Sequence, residues 1–266
     1  MTLNRREVLQ LAALGALGAG CAPGDDTQRA GAGRATRAST PIGPRSPAPP
    51  VPSSAASSAP SSAHPSGTAP ELGHGPRSGS GVALTFHGAG DPGIARAVLH
   101  ELAQARVHAT VLAVGTWLEG QPAMAAAVLG GGHELGNHTQ HHLPMRGLDA
   151  RTAHREIVEC ARVLGRLTGS PGRWFRASGT QHTNRIIRAA AARAGYAECL
   201  SYDVDSLDWT DPGALAISQR VLARARPGSI VSLHLGHRGT VDALPAVLSG
   251  LATKGLRALT VSELLA

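Results

Sequence analysis

Histidines are concentrated in one short stretch of the chain. Four of the thirteen histidines lie between residues 133 and 142, and His138 and His142 are four positions apart. If this stretch begins a helical turn, that spacing places both imidazoles on one face, within reach of a single metal ion. Imidazole is a good ligand for zinc and other first-row metals. The sequence therefore predicts a two-histidine metal clamp, with a histidine-rich surface loop as the alternative.

Polar residues also recur where predicted strands end. From residue 81 onward, short apolar segments alternate with amphipathic segments of helical period, which predicts repeated strand–helix units. Such units form a parallel sheet covered by helices, either as a barrel or as an open sheet. In both architectures the functional groups gather at the C-terminal ends of the strands. The polar residues at or just beyond those predicted ends are His87, His138, Arg176, Asp205, Asp208 and His234.

The same patterns set approximate boundaries for the elements. The predicted strands span residues 82–86, 109–114, 134–137, 174–176, 199–204, 229–234 and 257–260. The predicted helices span residues 94–106, 122–129, 150–168, 184–194, 215–225 and 241–254. The longest helix, 150–168, is expected to stop at Gly169 and Pro171.

Composition separates a folded domain from the segment that precedes it. Residues 22–80 are mostly proline, serine, alanine and glycine, with too little bulky apolar surface to fold. We therefore predict a disordered linker over residues 22–80 and a catalytic domain over residues 81–266. The chain has a formal net charge of +7 but neither a Lys/Arg run nor a basic stripe interleaved with aromatics, which argues against nucleic-acid binding.

The first 21 residues have the features of an export signal. Residues 4–10 resemble a twin-arginine motif, and the apolar run over residues 11–17 is too short to span a membrane. Residues 18–21 resemble a bacterial lipobox that ends at Cys21. We predict export by the twin-arginine route, with a lipid at Cys21 as the only membrane anchor. The alternative is ordinary signal-peptide cleavage, which would leave the protein extracellular.

Two cysteines remain within the predicted domain. Outside the cytoplasm, Cys160 and Cys199 could pair in a disulfide, but their separation in space cannot be read from the sequence. Free cysteines are among the most buried residue types in proteins. Two buried free thiols are therefore the favoured prediction.

Five segments of the predicted domain, taken in order, resemble the polysaccharide deacetylase family, also called the NodB-homology or carbohydrate esterase 4 family. They are residues 84–88, 138–142, 175–179, 205–209 and 230–234. The second and fourth segments are the specific ones, and the resemblance extends over residues 81–266. It implies a distorted (β/α) barrel that removes an acetyl group from a sugar with the help of a divalent metal.

The resemblance also implies roles for individual residues. His138 and His142 would hold the metal, and Thr139 between them would stabilise the loop. His234 would be the general acid that protonates the departing amine, with Asp208 orienting its imidazole. The alternative for His234 is a core histidine whose ring nitrogens are both satisfied.

Three more residues complete the implied site. Arg176 would orient the catalytic base, and a backbone N–H near Gly179 would serve the oxyanion. Trp209 would form an apolar wall for the acetyl methyl, or would only contribute to packing. Arg176 could instead form a structural ion pair with Asp205, an interpretation as strong as a direct catalytic role for Asp205.

The first segment departs from the family pattern of two consecutive aspartates, one the base and the other the third metal ligand. Here the two positions are His87 and Gly88, so neither carboxylate is present. The neighbouring glycines could let Asp91 fold back onto the metal, leaving His87 as the base. Alternatively, His87 is itself a ligand, or Asp91 is the base. In the remaining alternative, Asp91 only caps a helix that starts at Pro92.

Three other histidines fall outside this scheme. His133 and Glu134 precede His138, but the spacing is one residue too long for the HExxH metalloprotease motif, so His133 is predicted to be structural. His141 would lie about 100° around a helical turn from His142, which makes it the weaker ligand candidate. His237 matches no position of the family pattern.

These observations predict an exported, lipid-anchored hydrolase that removes N-acetyl groups from a cell-envelope polysaccharide. The family resemblance alone implies the substrate class, which is peptidoglycan or another N-acetylhexosamine polymer. Zinc is the expected metal, with cobalt, nickel or manganese as alternatives. Two other functions compete with this one. The protein could bind carbohydrate without turning it over, having lost both aspartates, or could act as an esterase on O-acetyl groups.

Overall fold

The computed structural model describes residues 67–266 of the chain. The predicted export signal, residues 1–21, and the larger part of the predicted linker, residues 22–66, lie outside the described residues. In the described part of the chain, no helix combines the length and the apolar character needed to cross a membrane.

Strands and helices alternate along the described residues, as the sequence pattern predicts. The strands are β1 (Glu71–Leu72), β2 (Gly81–Gly88), β3 (Thr110–Ala113), β4 (Glu134–Asn137), β5 (Cys199–Leu200), β6 (Val204–Asp205), β7 (Ile230–His234) and β8 (Arg257–Leu259). The helices are α1 (Pro92–Gln104), α2 (Gly115–Gly120), α3 (Ala123–Gly130), α4 (Ala150–Thr168), α5 (Arg185–Arg193), α6 (Ala214–Arg224), α7 (Arg238–Thr253) and α8 (Val261–Leu265).

The central sheet has the strand order β4-β3-β2-β7-β6, with β8 beside the start of β2. All of its pairs are parallel. The C-terminal ends of these strands therefore share one edge. The register places His87 of β2 directly opposite His234 of β7. The predicted α/β class with a distorted barrel is confirmed.

Alternation along β2 decides which of its side chains face the site. Val82, Leu84 and Phe86 are fully buried in the main hydrophobic core, which also contains residues of the surrounding helices. Thr85 and His87 point to the opposite face, because successive side chains of a strand alternate. The same alternation that buries the core residues therefore directs His87 towards the interior of the barrel.

The barrel is distorted where two predicted strands are interrupted. The strand predicted over residues 174–176 is reduced to isolated bridges that join Phe175 to Asn137 and to Cys199. The strand predicted over residues 199–204 divides into β5 and β6. Short strand segments therefore form this side of the barrel, and side chains must satisfy some of its backbone groups.

Helix α4 has the boundaries that the sequence predicts. Asp149 caps its start by accepting hydrogen bonds from two backbone N–H groups of the first turn. Gly169, with a φ of 79°, ends it in the left-handed conformation. The buried face of the helix carries Cys160, which like Cys199 is free, so the prediction of two buried thiols is confirmed.

Residues 67–80 belong to the folded part, so the predicted linker ends earlier than residue 80. β1 pairs in parallel with β5, and His74 forms an antiparallel bridge with Ser229, just before β7. The segment thereby fills the gap between β5 and β7. Composition did not reveal it because backbone pairing, more than bulky apolar side chains, holds it in place.

Side chains also fasten this segment. The carboxylate of Glu71 accepts hydrogen bonds from the backbone N–H and the hydroxyl of Thr183 and lies 3.0 Å from Nδ1 of His182. Burial opposes the charge of Glu71, but these hydrogen bonds outweigh it and hold its pKa below the usual value. Arg77 forms an ion pair with Asp203 at 2.9 Å.

A chain that begins at Gly81 is expected to be less stable than one that begins at Gly67. Removing residues 67–80 leaves backbone groups of β5 and of residues 228–229 without their partners. At about 1 kcal/mol for each hydrogen bond, the free energy of unfolding should fall by about 2–4 kcal/mol and the melting temperature by about 4–16 °C. Thermal unfolding of the two chains measures this. Equal melting temperatures would contradict a structural role for the segment.

Candidate active site

A pocket opens at the C-terminal edge of the sheet, where the sequence predicts the site. Its volume is about 670 Å³. The predicted residues that line the pocket are His87, His142, Gly179, Asp205, Trp209 and His234. Three further predicted residues are buried behind it, and each contacts a lining residue: His138, Arg176 and Asp208.

His138 is fully buried and has one ring nitrogen without a hydrogen-bond partner. Its Nδ1 lies 3.0 Å from the backbone oxygen of Arg176. Because a carbonyl oxygen only accepts, Nδ1 carries the proton and Nε2 carries the lone pair. Nε2 makes no hydrogen bond to any described residue. Burial, followed by the neighbouring His142, lowers the pKa of His138 well below its usual value, so the ring is neutral.

The loop that carries these histidines is not helical, so the condition under which their spacing would place both rings on one helical face is not met. Thr139 and His142 have positive φ angles of 70° and 58°, and the ring centroids of His138 and His142 are 5.0 Å apart. Thr139 donates its backbone N–H to the side-chain oxygen of Asn137 at 2.8 Å. Its hydroxyl donates to Oγ of Ser178 at 2.9 Å. The loop conformation brings the rings together, and Thr139 stabilises that loop.

His141 is held by a buried carboxylate, Glu156 of α4. Oε1 of Glu156 lies 2.7 Å from Nδ1 of His141, and Oε2 accepts from its backbone N–H at 2.8 Å. Within residues 67–266, the one set of three side chains whose metal-binding atoms all lie within 4.8 Å of one another is His141, Glu156 and Glu159. The two hydrogen bonds account for the closeness of His141 and Glu156. Glu156 thereby fixes the loop between His138 and His142.

His87 occupies the centre of the site. Its ring centroid lies 4.3 Å from that of His138 and 4.4 Å from that of His234. Its Nε2 is 3.4 Å from Oγ of Ser232. Burial lowers the pKa of His87 well below its usual value, and His138 and His234 lower it further. The ring is therefore neutral at physiological pH and has a lone pair for a proton or a metal.

His234 and Asp208 form a closely bonded pair. Oδ1 of Asp208 accepts from Nδ1 of His234 at 2.7 Å, and Oδ2 accepts from the backbone N–H of His234 at 2.8 Å. The hydroxyl of Thr240 also donates to Oδ2, at 2.6 Å. Burial by itself raises the pKa of Asp208, but the hydrogen bonds from His234 and Thr240 outweigh it and leave that pKa below its usual value. The core-histidine alternative is wrong, because His234 lines the pocket.

Arg176 forms its hydrogen bonds with a hydroxyl and with backbone oxygens of the barrel, and with no carboxylate among the described residues. Its guanidinium donates to Oγ1 of Thr85 at 2.9 Å and to the backbone oxygen of Ser201 at 3.0 Å. Burial lowers its pKa to about 10. No ion pair joins it to Asp205 among the described residues, so that alternative is wrong. None of its hydrogen bonds reaches His87 directly.

Gly179 lines the pocket from a turn, and Trp209 lines it from a short 3-10 helix over Asp208–Thr210. Trp209 is 54% exposed, so the alternative in which it only packs is wrong. Gly179 has a φ of 64°, and a Cβ there would lie 3.0 Å from Cα of Pro144. A larger residue would strain this turn, so glycine keeps the backbone close to the pocket.

Asp91 caps helix α1 and does not line the pocket. Its Oδ1 accepts from the backbone N–H groups of Gly93 at 2.8 Å and Ile94 at 3.0 Å. Gly90, with a φ of 94°, packs so closely on Gly236 that a Cβ would lie 2.6 Å from its Cα. Gly90 therefore allows a close backbone contact with the turn after β7. The loop does not fold back to bring Asp91 to the histidines, which was one of the alternatives. We accordingly assign Asp91 neither the metal-ligand role nor the base role.

Asp91→Ala should lower the stability of the protein and leave its bound-metal content unchanged. Loss of the cap should lower the free energy of unfolding by about 1 kcal/mol. Asp91→Ser keeps a capping oxygen and should lose less. Thermal unfolding together with bound-metal content by mass spectrometry measures both quantities. Loss of metal in Asp91→Ala alone would restore Asp91 as a ligand.

The histidines fit a divalent metal. His138 offers a buried and unbonded Nε2, and burial, followed by His234, lowers the pKa of His142 and favours its neutral form. A catalytic zinc site has three protein ligands and a position for water or substrate, and His138 and His142 supply two of those three ligands. His87 is close to His138, but His87, His138 and His142 do not bring their ligand nitrogens within 4.8 Å of one another. A third imidazole ligand is therefore not preassembled.

Comparison with known proteins decides the family. A family model described as polysaccharide deacetylase matches residues 74–199. A peptidoglycan-N-acetylglucosamine deacetylase of Bacillus cereus is 34% identical over 188 residues, which covers 69% of this chain and 87% of that protein. The chain belongs to the polysaccharide deacetylase family. The activity class is therefore that of a polysaccharide deacetylase, a hydrolase.

Solved structures of the family share the fold. The Bc1960 peptidoglycan N-acetylglucosamine deacetylase matches with a TM-score of 0.68 at 27% identity, over 73% of this chain and 91% of that chain. A variant of BA3943, a carbohydrate esterase 4 family pseudoenzyme with restored enzymatic activity, matches with a TM-score of 0.70 at 25% identity, over 75% of this chain and 72% of that chain. The fold therefore occurs both in active deacetylases and in a pseudoenzyme.

The structure adds residues that the deacetylase pattern did not single out. Asn137 and Glu156 hold the histidine loop, and Thr240 supports Asp208. Tyr202 and His237 line the pocket. Asn137, Tyr202, His237 and Thr240 lie within six residues of a family segment, which was their only signal in the sequence. Glu156 lies 14 residues beyond the second segment and had no such signal. Which of the neighbouring polar residues turn towards the site depends on the tertiary structure.

Proposed function

We propose that the protein is a metal-dependent deacetylase that hydrolyses N-acetyl groups of a cell-envelope polysaccharide. The observation that carries this proposal is Nε2 of His138, which is buried and has no hydrogen-bond partner among the described residues. It lies in the same site as the Asp208–His234 pair, with the ring of His87 between His138 and His234. A ligand nitrogen and a proton donor across one small space are what metal-assisted hydrolysis of an amide requires.

His138 and His142 would hold the metal, with zinc expected first and cobalt, nickel or manganese as alternatives. When bound, the metal supplies Lewis acidity, which polarises the acetyl carbonyl and acidifies water. The loop conformation of Thr139 and His142 supports this assignment, because Asn137 and Glu156 hold it in place. Such second partners raise metal affinity by fixing the orientation of the ligands.

His234 would be the general acid. Its Nδ1 is bonded to Asp208, so Nε2 is the ring atom available to give a proton to the departing amine. Asp208 carries hydrogen bonds from His234 and Thr240, which fix its own position. The pair therefore presents an imidazole of fixed orientation to the pocket.

His87 would be the base, in the place where the family pattern has a carboxylate. The neutral imidazole can take a proton from water while it lies between His138 and His234. A backbone N–H near Gly179 would stabilise the oxyanion, and the exposed Trp209 would form an apolar wall for the acetyl methyl. Arg176 would act only indirectly, through its bond to Thr85 on the same strand as His87.

The test is acetate release from defined substrates. The purified protein is stripped with a chelator, reloaded with zinc, cobalt, nickel or manganese, and assayed on chitopentaose, peptidoglycan and an O-acetylated xylan. Metal-dependent release from the N-acetylated glycans supports the proposal. Release from the xylan alone would favour the O-acetyl esterase. Metal binding and glycan binding without release on any substrate would favour the carbohydrate-binding pseudoenzyme.

We also propose that the protein is exported by the twin-arginine route and lipid-anchored at Cys21, with residues 22–66 as a tether. The support is the order of an arginine pair, an apolar run, Cys21 and a Pro/Ser/Ala-rich segment. Detergent-phase partitioning of the wild type against Cys21→Ala, expressed in a bacterium that processes lipoproteins, tests this. Partitioning of both proteins into the aqueous phase would contradict a lipid anchor at Cys21.

A further inference from the structure

The turn that holds Asp208 carries a second aspartate, and the strand end that holds His234 carries a second histidine. Asp211 follows Asp208 by three residues, and His237 follows His234 by three. Oδ1 of Asp211 lies 2.9 Å from Nδ1 of His237, much as Oδ1 of Asp208 lies 2.7 Å from Nδ1 of His234. Two Asp–His pairs therefore lie side by side, with the ring centroids of His234 and His237 5.7 Å apart.

The outer pair differs from the inner pair in exposure. The side chain of Asp208 is fully buried, whereas that of Asp211 is 69% exposed and that of His237 is 28% exposed. A hydrogen-bonded pair this exposed contributes little to stability. Its effect is to fix the imidazole of His237, which lines the pocket.

This orientation leaves one ring nitrogen for a ligand. Because the carboxylate of Asp211 accepts, Nδ1 of His237 carries the proton. Within residues 67–266, the hydrogen bond to Asp211 is the one that the His237 ring makes. Nε2 is therefore the polar atom that His237 can offer to a molecule in the pocket.

We propose that His237, held by Asp211, binds a hydroxyl of the sugar chain beside the reacting acetamide. A hydroxyl can both donate and accept, so it can bond to Nε2 whether or not the ring is protonated. An anionic group is disfavoured, because Asp205 lines the pocket and Asp211 adjoins it. Trp209, two residues before Asp211, offers an exposed apolar face on which a sugar ring can pack. The inference rests on the proposed function for its substrate class.

The direct measurement is the dissociation constant of chitopentaose, by calorimetry, for the full chain treated with a chelator so that the ligand is not consumed. His237→Ala should raise this constant about 3- to 10-fold, the effect of one hydrogen bond. Asp211→Ala frees the ring without removing it and should raise the constant less. His237→Gln, whose amide can reach a similar position, should restore part of the affinity.

Kinetics of the metal-loaded protein separates binding from chemistry. His237→Ala should raise the KM for chitopentaose by the same factor and leave kcat within about twofold of the wild type. The rate on 4-nitrophenyl acetate, which has no sugar, should not change. His100→Ala, an exposed histidine of α1, is the matched control and should change none of these quantities.

An unchanged dissociation constant in His237→Ala overturns the inference, and so does the absence of chitopentaose binding in the wild type. An equal loss of rate on chitopentaose and on the ester also overturns it, because His237 would then act in the chemical step. If the wild type releases no acetate but His237→Ala still weakens chitopentaose binding, the proposed function fails and this inference stands.

Discussion

Replacing His138 with alanine should abolish metal binding and reduce acetate release by about 10³-fold or more. The side chain carries the one buried ring nitrogen among the described histidines that lacks a hydrogen-bond partner. A ligating metal contributes several kcal/mol to the stabilisation of a hydrolytic transition state, and each 1.36 kcal/mol is about tenfold in rate. Bound-metal content and acetate release from chitopentaose measure the two effects.

The control for this prediction is His100→Ala, an exposed histidine of α1. It removes the same chemical group from the surface and should change neither metal content nor rate. A fold check by circular dichroism is needed, because His138 is fully buried and also bonds to Arg176 through Nδ1. A folded His138→Ala that keeps a full equivalent of metal would refute the assignment of His138.

Replacing His234 with alanine should reduce kcat by about 10²–10⁴-fold while the metal stays bound, because the loss is that of a general acid. Asp208→Asn should act in the same direction, since its side chain no longer provides two carboxylate oxygens for Nδ1, the backbone N–H and Thr240. Metal content and the rates on chitopentaose separate this effect from loss of a ligand.

Asp242→Asn is the matched control for Asp208→Asn, because Asp242 is exposed on α7 and, within residues 67–266, pairs with Arg238 alone. It should leave kcat unchanged. A His234→Ala protein that retains the wild-type kcat would contradict the assignment of His234 as the general acid. A protein that loses its metal on this substitution would instead show that His234 is a ligand.

The first family segment is closely packed at Gly88, the second of the two positions at which the family pattern has an aspartate. Gly88 pairs with Ala113 of β3, and a Cβ at Gly88 would lie 3.0 Å from both Cα of Ala113 and Cγ1 of Val111. A side chain at this position would require these neighbours to move by a few tenths of an ångström. Glycine therefore suits the close packing of β2 against β3, while His87 keeps a side chain in the site.

The histidine loop illustrates what residue spacing can and cannot predict. The four-residue separation of His138 and His142 predicts that both side chains bind one metal ion, and their rings do lie close together. A helical turn does not bring the rings together, because Thr139 and His142 adopt left-handed conformations that the side chains of Asn137 and Glu156 support. Those supports come from β4 and α4, so the sequence of the loop alone could not reveal them.

The ends of the fold show the same division. Helix α4 is predicted to the residue, because Asp149 and Gly169 act within one turn of its ends. Residues 67–80 were assigned to the linker, because their composition lacks the apolar period that marks a strand. They fold because distant partners, including β5 and Ser229, supply their hydrogen bonds.

The amino-acid sequence is enough to predict the alternation of strands and helices, the family, and the residues that gather at one edge of the sheet. Periodicity and short motifs are local properties, so the amino-acid sequence displays them directly. The three-dimensional structure was needed to choose the helix cap among the alternatives for Asp91 and to find that Asp211 holds His237 at the pocket. These outcomes depend on how closely two backbones approach and which way a loop turns. Residues far apart in the chain set both.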